Sequence, residues 1–346
     1  MLKIIKKNLS YFKNSSILIT GGTGSLGNAL VDRFLELKIF RKIIIYSRDE
    51  LKQSQMAKKY VNLDKKDTLR FFIGDVRDYD RLNLALKDVD LVVHAAALKH
   101  VDIAEYNPME YIKTNIDGAS NIVKACLENN IQKVIALSTD KAANPINLYG
   151  ASKLVSDKIF ISANNIAGLN KTRFVVVRYG NVINSRGSVL PFFKKINKSK
   201  QNFFPLTHNE MTRFFITLEQ SANLIINSFF NSHGGEIIIP KIPSVKIIDI
   251  AKTINPEKKI KIIGTRPGEK LHEILCSKDE ANLTIEFKDY YILQPTIKYI
   301  DRNINFFKNK NGLKGKKVKE NFEYNSFNNI EYLNKNLLRK IIKEID

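Results

Sequence analysis

The chain has 346 residues, 44% of them hydrophobic and 26% charged, enough for one large domain or two modest ones sharing a cleft. Its net charge of +21 is mostly lysine, concentrated at Lys3 to Lys7, Lys194 to Lys200 and Lys308 to Lys319; no nucleic-acid motif accompanies it, so it reads as a basic solvated surface that attracts anionic ligands. No apolar stretch approaches the roughly 20 residues that span a bilayer, and neither the cysteines (Cys126, Cys276) nor His94 and His100 have metal-ligand spacing, so the expectations are a reducing cytoplasm, no membrane insertion and no metal.

Met1 to Asn14 is basic and lacks an apolar h-region, so it reads as a leading arm and not as a signal peptide. Ser16-Ile17-Leu18-Ile19-Thr20 is a short apolar run, read as a buried first strand, and it runs directly into Gly21-Gly22-Thr23-Gly24-Ser25-Leu26-Gly27. Leu26, Leu30, Phe34 and Leu37 then recur at helical spacing. Strand, glycine turn and helix in that order form a dinucleotide site. Gly21 takes the tight turn, Gly24 lets backbone approach a pyrophosphate, and Gly27 lets helix pack on strand, while the helix N-terminus offers N–H groups to the anion. Thr23, Ser25 and Leu26 belong to the same cofactor loop.

Further apolar runs at Lys42 to Tyr46, Leu69 to Ile73, Leu91 to Val93, Lys133 to Leu137 and Phe174 to Val177 alternate with helical patterns, the clearest from Pro108 to Asn129. This alternation predicts an α/β fold, a Rossmann-type doubly wound parallel sheet with helices on both faces and ligands at the carboxyl ends of the strands. After the second strand comes Ser47-Arg48, ahead of Asp49-Glu50. A 2'-phosphate repels carboxylate and favours arginine, so the order favours NADP, with Lys52 as a second phosphate contact; the competing reading has Arg48 capping a solvated loop. Asp75, followed by Val76, either accepts from the adenine amino group or caps the helix predicted over 78–86.

Tyr149 and Lys153 lie four apart, on one face of a helix that begins near Pro145 or Asn147. Tyrosine ionises near pH 10, so a lysine charge and the positive nicotinamide are needed to make Tyr149 a usable base; Thr139 adds a hydrogen bond to the substrate oxygen. Lys141 stands eight residues before Tyr149, directly after Asp140. Alone, Asp140-Lys141 reads as a solvated ion pair. Placed after Ser138-Thr139 at a strand end, it puts a carboxyl and an amine beside the Tyr-Lys pair, and oxidation alone would not need them.

Thr20-Gly-Gly-Thr-Gly-Ser-Leu-Gly27, Tyr46-Ser-Arg-Asp-Glu-Leu-Lys52, His94-Ala-Ala-Ala-Leu-Lys-His100, Ser138-Thr-Asp-Lys-Ala-Ala-Asn-Pro-Ile-Asn-Leu-Tyr149, Arg178-Tyr-Gly-Asn181, Met211-Thr-Arg-Phe214 and Arg266-Pro-Gly-Glu-Lys-Leu-His-Glu273 span most of the chain. In these stretches it resembles the extended short-chain dehydrogenases/reductases and, among them, the inverting UDP-N-acetylglucosamine 4,6-dehydratases that open pseudaminic acid biosynthesis for bacterial surface glycosylation. The glycine motif is common to the superfamily, whereas Asp-Lys with the Arg-Pro-Gly-Glu-Lys run is much more specific. Related dTDP-glucose dehydratases carry Asp-Glu at the pair, 4-epimerases carry small or uncharged residues, and the membrane-bound retaining dehydratases lack the tyrosine. Leu26 and Ser152 replace residues that are often Phe and Thr in the inverting group.

The resemblance implies a hydro-lyase that uses tightly bound NADP on UDP-N-acetylglucosamine. Oxidation at C4, with Tyr149 taking the hydroxyl proton, acidifies C5; Lys141 is the base there, Asp140 the acid that helps the C6 hydroxyl leave, and hydride returns to C6. The product is UDP-2-acetamido-2,6-dideoxy-β-L-arabino-hex-4-ulose. Lys141 starts from a solution pKa of about 10.4, so burial or a neighbouring cation must lower it, and Asp140 must hold a proton when it acts. Ala95, Ala96, Lys99 and Thr114 join the cofactor site, and Ala97, Lys99 and Thr139 face the hexose. Asn181, Arg186, Arg213, Arg266 and Glu269 are the expected sugar-nucleotide contacts, because a pyrophosphate wants guanidinium forks and a uracil or ribose one fixed acceptor. Leu190 to Phe193 and Phe214 to Ile216 are expected core. The expected layout is an NADP-binding domain at 1–182, a smaller α/β substrate domain at 183–300 with segments returning to the first, and a basic, loosely ordered tail at 301–346 ending in a helix over 337–345. A homo-oligomer is usual among similar enzymes, and a UDP-sugar 4-epimerase is the alternative function.

Overall fold

The computed structural model describes residues 6–168, 172–185, 187–297 and 304–345. Strands β1 (Ser15–Thr20), β2 (Phe40–Ser47), β3 (Leu69–Ile73), β4 (Leu91–His94), β5 (Lys133–Thr139) and β6 (Arg173–Tyr179) pair in parallel in the order β3-β2-β1-β4-β5-β6. Ile17, Leu18, Ile19, Leu91, Val92, Val93 and Phe174 to Val177 are fully buried, as a sheet covered on both faces requires. The covering helices are α1 (Ser25–Leu37), α2 (Glu50–Tyr60), α3 (Tyr79–Ala85), α4 (Val101–Tyr106), α5 (Pro108–Tyr111), α6 (Gly118–Glu128) and α7 (Leu148–Ile166). Strand order reverses between β1 and β4, the point at which a crevice opens above the strand ends.

Short polar residues fix where the helices start. Asp49 accepts from Lys52 N to begin α2, and Asn147 accepts from Gly150 N at 2.7 Å to begin α7. At α3 the cap is Asp78, accepting from Arg81 N at 3.0 Å, so the expected alternative of Asp75 as that cap is corrected. The helical pattern from Pro108 to Asn129 is one continuous run, but its middle, Ile112–Asp117, widens into a π-helix. Such insertions rotate side chains out of the helical register. Here Asn115 exchanges hydrogen bonds with Leu98 N (2.9 Å) and Leu98 O (3.0 Å) and donates to Ser152 Oγ (3.0 Å), tying the loop after β4 to α7.

Beyond β6 the chain runs through β7 (Asn181–Val182), α8 (Val189–Asn197), β8 (Phe203–Leu206), β9 (Thr212–Ile216), α9 (Leu218–Asn231), β10 (Ile237–Pro240), β11 (Ser244–Lys246), α10 (Ile247–Ile254), β12 (Lys259–Ile262), β13 (Ile274–Cys276), β14 (Thr284–Glu286) and β15 (Tyr290–Leu293). β10 extends the large sheet in parallel next to β6, and β15, β14 and β16 (Lys316–Lys317) continue it antiparallel to a ten-stranded whole. A second, smaller core gathers Leu190, Phe193, Phe204, Phe215, Val245 and Ile250 with Leu333 and Leu338 from the C-terminal segment.

Both chain ends are more ordered than the sequence suggested. The N-terminal arm buries Phe12 against Phe40, Phe229 and Phe230. Residues 304–334, expected to be loose, bury Phe306 and Tyr324, supply β16 and β17 (Tyr324–Asn325), and lead into α11 (Lys335–Ile345). Spaced single aromatics in a lysine- and asparagine-rich stretch carry no periodic signal, yet Phe306 and Tyr324 pack into the core while Phe307 and Phe327 stay exposed. Among the described residues no helix is long and apolar enough to cross a membrane, and no group of three metal-ligating side chains gathers.

Candidate functional site

A cleft of about 1030 Å³ lies over the carboxyl ends of β1, β2, β4, β5 and β6, at or above the volume of most single-ligand pockets. Every site residue predicted above lines it except Arg186, which lies outside the described residues. The glycines of the first turn divide by role. Gly21 sits at φ 64°, and a Cβ there would approach Ala96 Cα to 2.9 Å; at Gly27 it would sit 2.0 Å from Gly22 O. Gly24 would meet only Gly21 O, at 3.2 Å, so packing asks least of the glycine nearest the open cleft. Gly24 is the N-cap of α1 and offers no side-chain cap, so the positive end of the helix opens on the cleft. This cradle fits a dinucleotide pyrophosphate.

The ribose end is more ambiguous than the arginine alone suggests. Arg48 is largely exposed, and its Nη1 is 3.4 Å from Asp75 Oδ2, while Lys52 pairs with Asp49. Burial pushes the Asp75 carboxyl up, but hydrogen bonds from Arg77 and the charges of Arg77 and Arg48 outweigh it and hold the group below the usual carboxylate range. A cation-rich rim therefore faces this corner. Thr23 Oγ1 and Ser47 Oγ join the two loops at 2.9 Å, and Thr114 Oγ1, set by the π-helix, is buried with no partner.

At the end of β5 the chain turns through a short 3-10 helix, Asp140–Ala142, capped by Thr139. Lys141 Nζ lies 3.0 Å from Asp140 Oδ1 and 3.0 Å from Glu273 Oε1. Thr139 Oγ1 donates to Asp140 Oδ1 at 3.0 Å, and Arg213 Nε stands 3.5 Å from Glu273 Oε1. Asp140 and Glu273 are nearly inaccessible. Burial raises the Asp140 carboxyl, and the Glu273 charge adds to it against the pull of Lys141. For Lys141, burial works downward but the charges of Asp140 and Glu273 win, so its ammonium is held above the ordinary lysine range. The expectation that Lys141 is lowered is thus corrected, because two carboxylates flank the amine where one was foreseen.

Tyr149 is pushed up to about 12 by burial, with Lys141 and a hydrogen bond with Thr139 pulling it back. The lysine that assists it electrostatically is Lys141, whereas Lys153 is lowered by burial and looks to Asp157. Asp157 in turn accepts from Ser138 Oγ at 2.7 Å and pairs with Arg178 at 3.4 Å, a buried network behind the site. His94, pushed down to about 3 by burial and Lys153, is bonded to Thr20 Oγ1 at 2.9 Å and serves the core.

On the sugar-nucleotide side Asn181 Oδ1 is buried without a partner, and burial lowers Lys99. Arg213, expected at the pyrophosphate, lines the cleft with its donors engaged by protein groups. Its Nη1 donates to Thr212 O (2.7 Å) and Leu271 O (3.1 Å), Nη2 faces Glu269 (3.4 Å) and Nε faces Glu273, so its donors are committed to holding the site together. Arg266 is exposed, touching only Glu269 among carboxylates at 3.3 Å, and is placed to meet a ligand. Leu190, Phe193 and Phe214 to Ile216 are core, as expected, while Phe192 is half exposed. Sequence reasoning passed over Glu273, the second acid of the Glu-Lys-Leu-His-Glu run, and Lys270, whose Nζ donates to Ala143 O at 2.6 Å; only that run's spacing hinted at either. Buried atoms without a partner cluster in the cleft: Thr114 Oγ1, Asp140 Oδ2, Asn181 Oδ1, Ser188 Oγ and Glu273 Oε2. Native interiors leave few such atoms, and here they mark where ligand hydroxyls and amides belong.

Residues 17–295 match the family described as polysaccharide biosynthesis protein. A UDP-N-acetylglucosamine 4,6-dehydratase (inverting) of Campylobacter jejuni subsp. jejuni serotype O:2 is 54% identical over 97% of this chain and 99% of its own. A UDP-glucose 4-epimerase of Rickettsia bellii is 45% identical over 81% of this chain and 83% of its own. Among solved structures, Pen from Bacillus thuringiensis superposes with a TM-score of 0.85 at 34% identity, covering 96% of this chain and 99% of that one.

Proposed function

The chain belongs to the polysaccharide biosynthesis protein family and, within it, to the inverting UDP-N-acetylglucosamine 4,6-dehydratases, and from that membership we propose that it converts UDP-N-acetylglucosamine into the C5-inverted 4-keto-6-deoxy sugar nucleotide that feeds pseudaminic acid synthesis. One observation supports this most strongly: in the cleft, beside Tyr149, Lys141 is paired with a buried Asp140 whose Oδ2 has no protein partner. Epimerisation at C4 has no use for an acid and a base at C5 and C6.

The glycine cradle and the Arg48-Lys52 rim suit NADP, which supplies a hydride acceptor at C4 and a hydride donor at C6. Tyr149 takes the C4 hydroxyl proton, with Thr139 holding the oxygen. Its high resting pKa calls for the positive nicotinamide in addition to Lys141. Lys141 removes the C5 proton and Asp140 protonates the C6 oxygen, which leaves as water. Asp140 is suited to that role, because burial and Glu273 favour its protonated form. Arg266 meets the pyrophosphate and Asn181 the sugar, carried by the half of the molecule built on the second core. Incubation with UDP-N-acetylglucosamine tests the reading: a 4-keto-6-deoxy product is expected, and UDP-N-acetylgalactosamine would instead identify an epimerase.

A further inference from the structure

Glu273 stands in the loop before β13, far in sequence from Lys141, yet it lines the cleft with its Oε1 3.0 Å from the Lys141 amine and its Oε2 buried without a hydrogen-bond partner. We propose that Glu273 is the positioning residue of the C5 deprotonation: its carboxylate anchors the Lys141 amine against Asp140 and supplies the fixed negative charge that receives the ammonium as it forms. This rests on the dehydratase reading above and deepens it.

The proton inventory shows why such a residue is needed. With Lys141 charged, the amine is not in its working form, while burial and Glu273 make Asp140 a ready acceptor of its proton. Transfer of one proton from Lys141 Nζ to Asp140 Oδ1, 3.0 Å away, gives a neutral amine and a carboxylic acid with no change in net charge. The amine then takes the C5 proton, the C5–H electron pair becomes the C5–C6 double bond, the C6–O bond breaks, and the Asp140 proton leaves with that oxygen as water. Afterwards Asp140 is a carboxylate and Lys141 an ammonium again. Lys141 and Arg213 hold Glu273 below the usual carboxylate range against burial, and while Lys141 is neutral Arg213, at 3.5 Å, remains as its partner cation. Because Asp140 regains its charge only as the C6 oxygen departs, Glu273 supplies the negative charge already in place beside the amine when it takes the C5 proton. The charged and titratable groups facing Lys141 are Asp140 on its own turn, Tyr149 from α7, Arg213 from β9, and Lys270 and Glu273 from the loop before β13.

The test follows UDP-N-acetylglucosamine turnover by NMR in deuterated water, against pH, for the wild type, Glu273→Gln and Glu273→Asp. In the Gln variant kcat is expected to fall about 10²-fold with KM nearly unchanged. The acid limb of its kcat profile should move down by about one to three pH units, because the charge that favours the ammonium is gone. A contact that merely stabilises the fold would lower the melting temperature without moving that limb. The Asp variant keeps the charge but withdraws it by one methylene, so its limb should stay in place while kcat falls about tenfold or more. Wild-type kcat and limb in the Gln variant would overturn the proposal; so would wild-type kcat in the Asp variant, which decides the matter if the Gln protein does not fold. A wild type that makes no 4-keto-6-deoxy product would instead fail the dehydratase reading itself.

Discussion

At the scale of single residues, the site separates groups that sequence treats alike. Lys141, Lys153 and Lys99 all line one cleft, yet two buried carboxylates hold Lys141 charged while burial lowers the other two. Lys141→Ala is therefore expected to abolish water loss and C5 deuterium uptake while leaving dinucleotide affinity within about twofold, measured by calorimetry; uptake that persists would place the base elsewhere. Tyr149→Phe removes the group proposed to take the C4 proton and should cost at least about 10²-fold in the first oxidation, read as reduced-nicotinamide absorbance in a single turnover. Arg48→Ala should weaken NADP by about tenfold or more and NAD hardly at all, and equal losses would show that Arg48 serves only Asp75.

At the scale of elements, positions that read as ordinary turns or helix interiors set the chemistry. Gly150, in the first turn of α7, would bring a Cβ to 2.2 Å from Lys141 O, so the helix that carries Tyr149 and Lys153 rests directly on the Asp-Lys turn. Gly150→Ala is expected to cost about 1–3 kcal/mol by overpacking and to lower activity beyond that loss, as the turn is pushed from Tyr149; unchanged kcat at a reduced melting temperature would show that the two elements move independently. The π-helix at Ile112–Asp117 was invisible to periodicity, which spans it without a break. One extra residue in a turn shifts which side chains face the cleft, and no propensity signals it.

At the scale of the whole molecule, β10, β14 and β15 return to the first sheet, and Leu333 and Leu338 of the C-terminal segment complete the second core. Removal of residues 304–346 is expected to expose both cores and yield aggregated or unfolded chain by scattering and thermal melting, where a dispensable tail would leave a cooperative transition intact. Acid should also unfold the protein through His94. Its folded pKa of about 3 lies below the unfolded value of 6.5, so the unfolded chain takes up its proton first, and stability is lost as pH falls through that interval.

The sequence by itself determined the parallel sheet, the glycine turn and the Asp-Lys-Tyr-Lys set, because each is written in local signals: apolar runs, helical spacing and residues at strand ends. Strand boundaries came within a few residues for the same reason. Only the tertiary structure decided that Glu273 sits against Lys141, that Arg213 is occupied by Glu269 and Glu273, and that the C-terminal segment is core. Those are contacts between residues distant along the chain, and a charge balance inside a buried cleft depends on which groups meet in space.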